Sequence, residues 1–248
     1  MLKEHQHTFY LAAGECNPEG EMPLGMLMNR IIEMATAHAN KWGVGYERLI
    51  KDNHAWVLSR VTIEVTRYPR VNEQYTIVTW IEGYNRYFSQ RNFELLDADG
   101  NTLGFARTIW MVIDLTTRQG VNIAELQYIS QNVSPRPCPI EPATKMAAVA
   151  PIRSATHDFV YSDCDFNRHV NTVRYIDLLM NQFSMDTHDQ MQVRRLEMAF
   201  VSESYYGQQA TVLVDDHDMA DCRAEIAVDG KAHVRARLMF APRTVTTQ

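Results

Sequence analysis

Cysteine is scarce in this 248-residue chain: only Cys16, Cys138, Cys164 and Cys222 are present, and no two form a C-x-x-C pair. Scattered thiols supply neither a disulfide framework nor a zinc site, so a reducing setting, the cytoplasm, is expected. Long apolar runs are missing too. None approaches the ~18 residues that a bilayer-crossing helix needs, and the polar stretch from Met1 to Tyr10 lacks the apolar core of a signal peptide. Membrane insertion and secretion are therefore not expected. Nor is there a basic excess, because 24 Lys and Arg stand against 30 Asp and Glu, for a net charge of -6 spread evenly along the chain. That balance argues against nucleic acid as a partner. No motif asks for a cofactor or a metal, and none is expected.

What the sequence does have is apolar residues at regular spacing, 46% of the chain being hydrophobic, enough for a substantial core. After a short strand near His7 to Ala12, Pro23 stands at the first turn of a helix with Leu24, Met28, Ile31, Ile32, Ala35 and Ala39 on one face. Gly43 and Gly45 end it. From Ala55 to Tyr68 the pattern changes to alternation, with Val57, Val61, Ile63 and Val65 predicted on one face of a strand. Gln74 to Glu82, Tyr87 to Asp97 and Thr102 to Asp114 continue as strands between turn-forming residues.

The second half repeats this plan: a helix near Asn171 to Phe183, then strands at Val193 to Ser202, Gln209 to Asp215, Cys222 to Val228 and His233 to Phe240. Asp99-Gly100 precedes Ala106-Arg107 at the spacing at which Asp229-Gly230 precedes Ala236-Arg237, as an internal repeat requires. Residues 131–151, rich in Pro and Ala, read as a linker between domains at 1–130 and 152–248. A buried helix against strands with one apolar face each is an α+β arrangement, the hot dog, here doubled. One such sheet leaves an edge exposed, and fusing two in one chain answers that need internally; a homodimer is a further way to cover edges.

Chemistry is expected between Tyr161 and Phe183. Asp165, Asn167 and His169 stand at alternate positions, which on an extended backbone share one face. Asn171 is placed to cap the helix that follows, and the unpaired N–H groups of a helix N-terminus suit an oxygen that develops negative charge. The combination fits carbonyl chemistry.

Asp165-Phe166-Asn167-Arg168-His169-Val170-Asn171, followed by Val173-Arg174-Tyr175-Ile176, resembles the signature of the acyl-acyl-carrier-protein (acyl-ACP) thioesterases of plant plastids and their bacterial relatives. Trp110-Met111-Val112-Ile113-Asp114 with Thr117-Arg118 is similar to that family's Trp-Val-Met-Met stretch and its Thr-Arg pair. The resemblance implies a double hot dog over nearly the whole chain, hydrolysis of fatty acyl-ACP to free fatty acid in fatty acid biosynthesis, and Asp165, Asn167, His169 and Glu203 as catalytic residues. Glu203 is expected to activate water, Asn167 to orient the carbonyl or the water, His169 to hydrogen-bond the reacting group, and Asp165 to orient Asn167 or His169 or to share proton transfer with Glu203. The backbone N–H of Val170 or Asn171 is expected to help bind the oxyanion. Where the plant pattern has a Cys after the Glu, this chain has Ser204, so either a cysteine mechanism does not apply or the Ser204 hydroxyl replaces the thiol. The polar start of the chain, without a transit peptide, fits a bacterial relative.

The family's acyl chain enters the N-terminal hot dog, so Met26, Met28, Ile31, Met34 and Ala35 on the first helix, with Trp56 and Leu58 facing it, are the expected lining. Acyl-carrier protein, being acidic, calls for a local basic patch on this acidic chain. Three alternatives stand beside this reading: a thioesterase for coenzyme A thioesters, a hot-dog hydratase or dehydratase of enoyl or hydroxyacyl thioesters, and a non-catalytic acyl-thioester-binding protein.

Overall fold

The computed structural model describes residues 3–125 and 131–243, which fall into two compact units, Met1–Met22 with Leu27–Pro142 and Pro23–Met26 with Ala143–Gln248. In the first, strand β1 (Glu4–Tyr10) precedes helix α1 (Leu24–Lys41), which belongs to this unit from Leu27 onward, and a single helical turn, α2 (Tyr46–Leu49). Strands β2 (His54–Val65), β3 (Gln74–Tyr84), β4 (Phe88–Asp97) and β5 (Thr102–Asp114) follow. The sheet is antiparallel in the order β1-β3-β4-β5-β2. Met28, Ile31, Met34 and Ala35 of α1 are buried with Ile63, Val65, Ile77, Phe93 and Leu95 of the sheet. Each such apolar side chain contributes roughly 1.5–3 kcal/mol on burial, so the helix is held by its apolar stripe.

Alternation alone misplaces part of β2. A bulge between Leu58 and Arg60 moves the pairing from Leu58↔Trp110 to Arg60↔Ile109. One extra residue reverses the faces on either side of it. Val57, expected beside Val61, therefore points to the opposite face, and Trp56 and Leu58 share the inner face with Val61, Ile63 and Val65.

The stretch read as a linker divides in two. Residues 131–142 belong to the first unit, where Cys138 and Ile140 are buried against Trp80 on the outer face of the sheet. The Trp80 indole N–H donates to the Arg136 carbonyl at 2.7 Å, with the Arg136 guanidinium 4.2 Å above the ring. Arg107 donates to the carbonyls of Cys138 and Ile140, both at 2.7 Å. Residues 143–151 carry no regular structure.

The second unit contains β6 (Arg153–Asp158), α3 (Thr172–Met180), α4 (Met185–Gln190), β7 (Met191–Phe200), β8 (Gln209–Asp215), β9 (Cys222–Val228) and β10 (Lys231–Pro242). Its antiparallel order, β6-β8-β9-β10-β7, reproduces that of the first unit strand for strand. The two Asp-Gly pairs fall in equivalent hairpins, with Gly100 and Gly230 both at positive φ, and Ala106 and Ala236 are both buried. Each unit is thus a helix against a five-stranded sheet, and the doubled hot dog is the fold.

Two elements of this unit are not expected from the sequence. Strand β6 lies at a sheet edge, is mostly exposed and pairs, among the described residues, with β8 alone, so RSATHD carries no apolar alternation. Helix α3 stops at Met180 instead of running to Phe183, and Ser184 starts α4 by accepting from the Thr187 N–H.

Candidate functional site

Tyr175, Ile176, Leu178 and Leu179 of α3 are buried, which fixes the helix, and Asn171 caps it by accepting from the Val173 N–H at 2.9 Å. The residues before the cap do not form an extended strand. Asp165 N–H donates to the His169 carbonyl at 2.8 Å and Arg168 N–H to the Asp165 carbonyl at 2.9 Å, while Arg168 takes a positive φ of 64°. The segment is a tight turn. Asp165 Oδ1 accepts from the Asn167 backbone N–H at 2.8 Å, and its Oδ2 lies 3.5 Å from the Asn167 side-chain nitrogen. Asp165 and Asn167 are thus brought together by an Asx-type turn, whereas strand alternation was the expected cause.

The turn delivers His169 to a second segment. His169 bridges Tyr205, and Val170 N–H donates to the Ser204 carbonyl at 2.8 Å, so residues 169–170 lie antiparallel to 204–205. Glu203 is thereby placed with its Oε1 3.3 Å from His169 Nδ1. The Tyr205 hydroxyl donates to Glu203 Oε2 at 3.1 Å, and the His169 and Tyr205 rings meet edge to face at 5.0 Å. Both members of the pair keep solvent access, at 27% and 31% side-chain exposure.

The same hydrogen bonds exclude the expected oxyanion donors. Val170 N–H is held by the Ser204 carbonyl and Asn171 N–H by the Asp163 carbonyl, each at 2.8 Å, so neither is free to bind substrate. Ser204 is fully buried, its hydroxyl hydrogen-bonded to His233 Nδ1 at 2.8 Å. Burial pushes the Tyr175 phenol up; hydrogen bonds to Ser204 oppose this and the charges of Glu203 and Asp165 add to it, so both carboxylates are in electrostatic reach of that ring. Burial likewise holds the His233 imidazole below its ordinary value, against the opposing effect of Asp229 and the Glu203 backbone. Tyr205 and His233 are not singled out from the sequence, and Tyr175 and Ser204 appear there only as parts of the family pattern, without these contacts. Tyr205 stands two residues after Glu203.

The first unit holds an apolar cavity of about 50 Å³, lined by residues that include Ala35, Trp42, Trp56, Ser89, Arg91 and Trp110. Of the expected acyl-lining residues, Ala35 and Trp56 line it. Ile31 lines a smaller void, and Met28 and Met34 are close-packed core with at most 2% exposure. Met26 and Leu58 line neither. The stretch ending in Asp114 closes a turn: Asp114 Oδ1 accepts from the Thr116 and Thr117 N–H groups and the Thr117 hydroxyl. Among the described residues no group of three or more His, Cys, Asp or Glu is placed to hold a metal ion, and no helix is long and apolar enough to cross a membrane.

Comparison with known proteins agrees with this arrangement. A family model described as the acyl-ACP thioesterase N-terminal domain matches residues 2–128, and one described as the C-terminal domain matches residues 152–242. The chloroplastic palmitoyl-acyl carrier protein thioesterase of Arabidopsis thaliana is 22% identical over 214 residues, covering 80% of this chain and 52% of that protein. The chloroplastic oleoyl-acyl carrier protein thioesterase 2 of the same plant is 28% identical over 212 residues, covering 75% and 56%. This chain spans about half the length of the curated relatives it matches. The crystal structure of an acyl-ACP thioesterase from Bacteroides thetaiotaomicron is 32% identical, has a TM-score of 0.89, and is matched over 96% of this chain and 98% of that one. With both units matched in order by the two domain models, and the same doubled architecture in a solved relative, this chain belongs to the acyl-ACP thioesterase family.

Proposed function

We propose that the chain hydrolyses the thioester of fatty acyl-acyl-carrier protein, releasing free fatty acid and the carrier thiol. The observation that carries this reading is Glu203 beside His169 at 3.3 Å, with its second oxygen held by Tyr205. A carboxylate steadied on both oxygens and still open to solvent is a base that can take a proton from water. Water adds to the thioester carbonyl, and the proton goes to Glu203. The tetrahedral intermediate then expels the thiolate as the C–S bond breaks, and the proton passes on to sulfur. His169, with Nδ1 towards Glu203, presents its other nitrogen to the reacting group. Asn167, fixed by Asp165, offers its side-chain amide to the developing oxyanion in place of the occupied Val170 and Asn171 N–H groups.

A buried Ser204 hydroxyl cannot reach a carrier-borne thioester without opening the unit, which favours water over an acyl-enzyme. The second unit supplies this chemistry and the first supplies the acyl pocket. The four free thiols suit a reducing cytoplasm and the polar partner is acyl-carrier protein. The test is thiol release from acyl-carrier-protein and acyl-coenzyme A thioesters of graded chain length. Turnover of carrier thioesters in preference to coenzyme A thioesters supports the reading. Turnover of coenzyme A thioesters alone replaces the partner, and no turnover of either sinks the activity.

A further inference from the structure

The cavity in the first unit is not a plain hydrocarbon pocket. Arg91, on the inner face of β4, lines it while only 5% exposed. One guanidinium nitrogen, Nη1, is engaged, with His38 Nδ1 at 2.9 Å and the Thr79 hydroxyl at 3.2 Å, and the Trp42 ring lies 5.3 Å from the guanidinium carbon. Nε and Nη2 have no partner among the described residues, and no carboxylate there pairs with Arg91. The nearby acids are committed to the outer face of the same sheet, where Glu82 pairs with Arg107 at 3.1 Å and Glu94 with Arg136. Ser89, 2% exposed, lines the same cavity, and its hydroxyl also has no partner among the described residues.

A guanidinium out of water without a counter-ion is costly, and lining a pocket with one for saturated hydrocarbon would add that cost to every binding event. A planar fork of unused donors in a low-dielectric pocket is matched instead by an acceptor oxygen, best by a carboxylate that takes two parallel N–H bonds. Burial pushes the guanidinium down to about 9, which leaves it protonated near neutral pH.

We propose that this cavity is a specificity pocket for acyl chains that carry an acceptor oxygen, a terminal carboxylate above all, bound by Nε and Nη2 of Arg91 with the Ser89 hydroxyl beside them. The inference rests on the acyl-thioesterase reading for the identity of the ligand as an acyl chain.

The experiment compares kcat/KM for carrier-protein thioesters of unsubstituted, ω-hydroxy and ω-carboxy chains from hexanoyl to dodecanoyl, with the wild type and Arg91→Met. Charged hydrogen bonds of this kind predict that the wild type prefers an oxygen-bearing chain by about tenfold or more at its best length, ω-carboxy leading. The preference disappears in Arg91→Met. Equal or poorer turnover of both oxygenated series at every length overturns the proposal on the wild type alone, so it stays testable even if Arg91→Met fails to fold. Calorimetric binding of monomethyl dicarboxylates against plain methyl esters of matched length reads the pocket without turnover. Selective binding there, with no thioester hydrolysed, keeps the pocket and removes the activity; no selectivity removes the pocket.

Discussion

Replacing Glu203 by Gln isolates the proton-accepting step. The amide keeps the size of the side chain and an oxygen for the Tyr205 hydroxyl, but it cannot take a proton from water. A positioned general base contributes about 10²–10⁴-fold, so kcat should fall by that factor, equivalent to ~2.7–5.5 kcal/mol of barrier. Stability should hardly move, because Glu203 is 31% exposed and its contact with His169 is partly screened by solvent; the loss is under about 1 kcal/mol. The assay is steady-state thiol release from an acyl-carrier-protein thioester, with a thermal melt of the same preparation. KM should change little, since Glu203 acts on water and not on the acyl chain. His169→Ala in the Glu203→Gln background should cost less than His169→Ala alone, as expected of groups that act as a unit. A Glu203→Gln protein that keeps kcat within a factor of about three of wild type, a loss far below the general-base range, would refute the assignment of the base.

Other perturbations separate fold from chemistry. Ser204→Ala should keep hydrolysis, which rules out a serine acyl-enzyme, while lowering unfolding stability by about 1–3 kcal/mol through the unpaired buried His233; loss of all activity in a folded protein would revive the nucleophile. Glu197, 1% exposed, is pushed up by burial but pulled further down by hydrogen bonds from Arg195 and Thr144, so its folded carboxyl titrates below the ordinary 4.5. Its contribution is therefore fully present above that value and lost as pH falls below it. Glu197→Gln should destabilise by about 3 kcal/mol at neutral pH and flatten the acid limb of a pH–stability curve. Removing the helix cap in Asn171→Ala should cost about 1 kcal/mol in chemical denaturation. An unchanged midpoint there would show that α3 is held by packing alone.

Much of the fold was legible because it rests on local periodicity. Helix α1 and strands β3, β4 and β5 follow from spacing that repeats within one element, and the Asp-Gly pairs mark equivalent hairpins in two units of identical strand order. Strand β6 was not legible, since an exposed edge strand has no apolar face to advertise. The bulge in β2 was hidden for a related reason: Ser59 is an ordinary residue there, and only pairing with β5 reveals the extra position.

For the site, the sequence by itself determined which residues are at hand: Asp165, Asn167 and His169 in one short motif, a cap at Asn171, and Glu203 by its place in a family pattern. Tertiary structure decided what they can do. The motif is a turn because its backbone bonds close on themselves, and His169 meets Glu203 because two distant segments pair. The same pairing occupies the Val170 N–H group and recruits Tyr205, while the Asn171 N–H is held locally by the Asp163 carbonyl. Arg91 reads in sequence as one more strand arginine; it lines a cavity without a carboxylate partner among the described residues because the nearby Glu82 and Glu94 are paired on the other face of its sheet. Side-chain spacing is a local property of the chain, whereas the partner of a donor or a charge is set by residues far away in sequence, and that is why the residues could be read from the sequence and their partners could not.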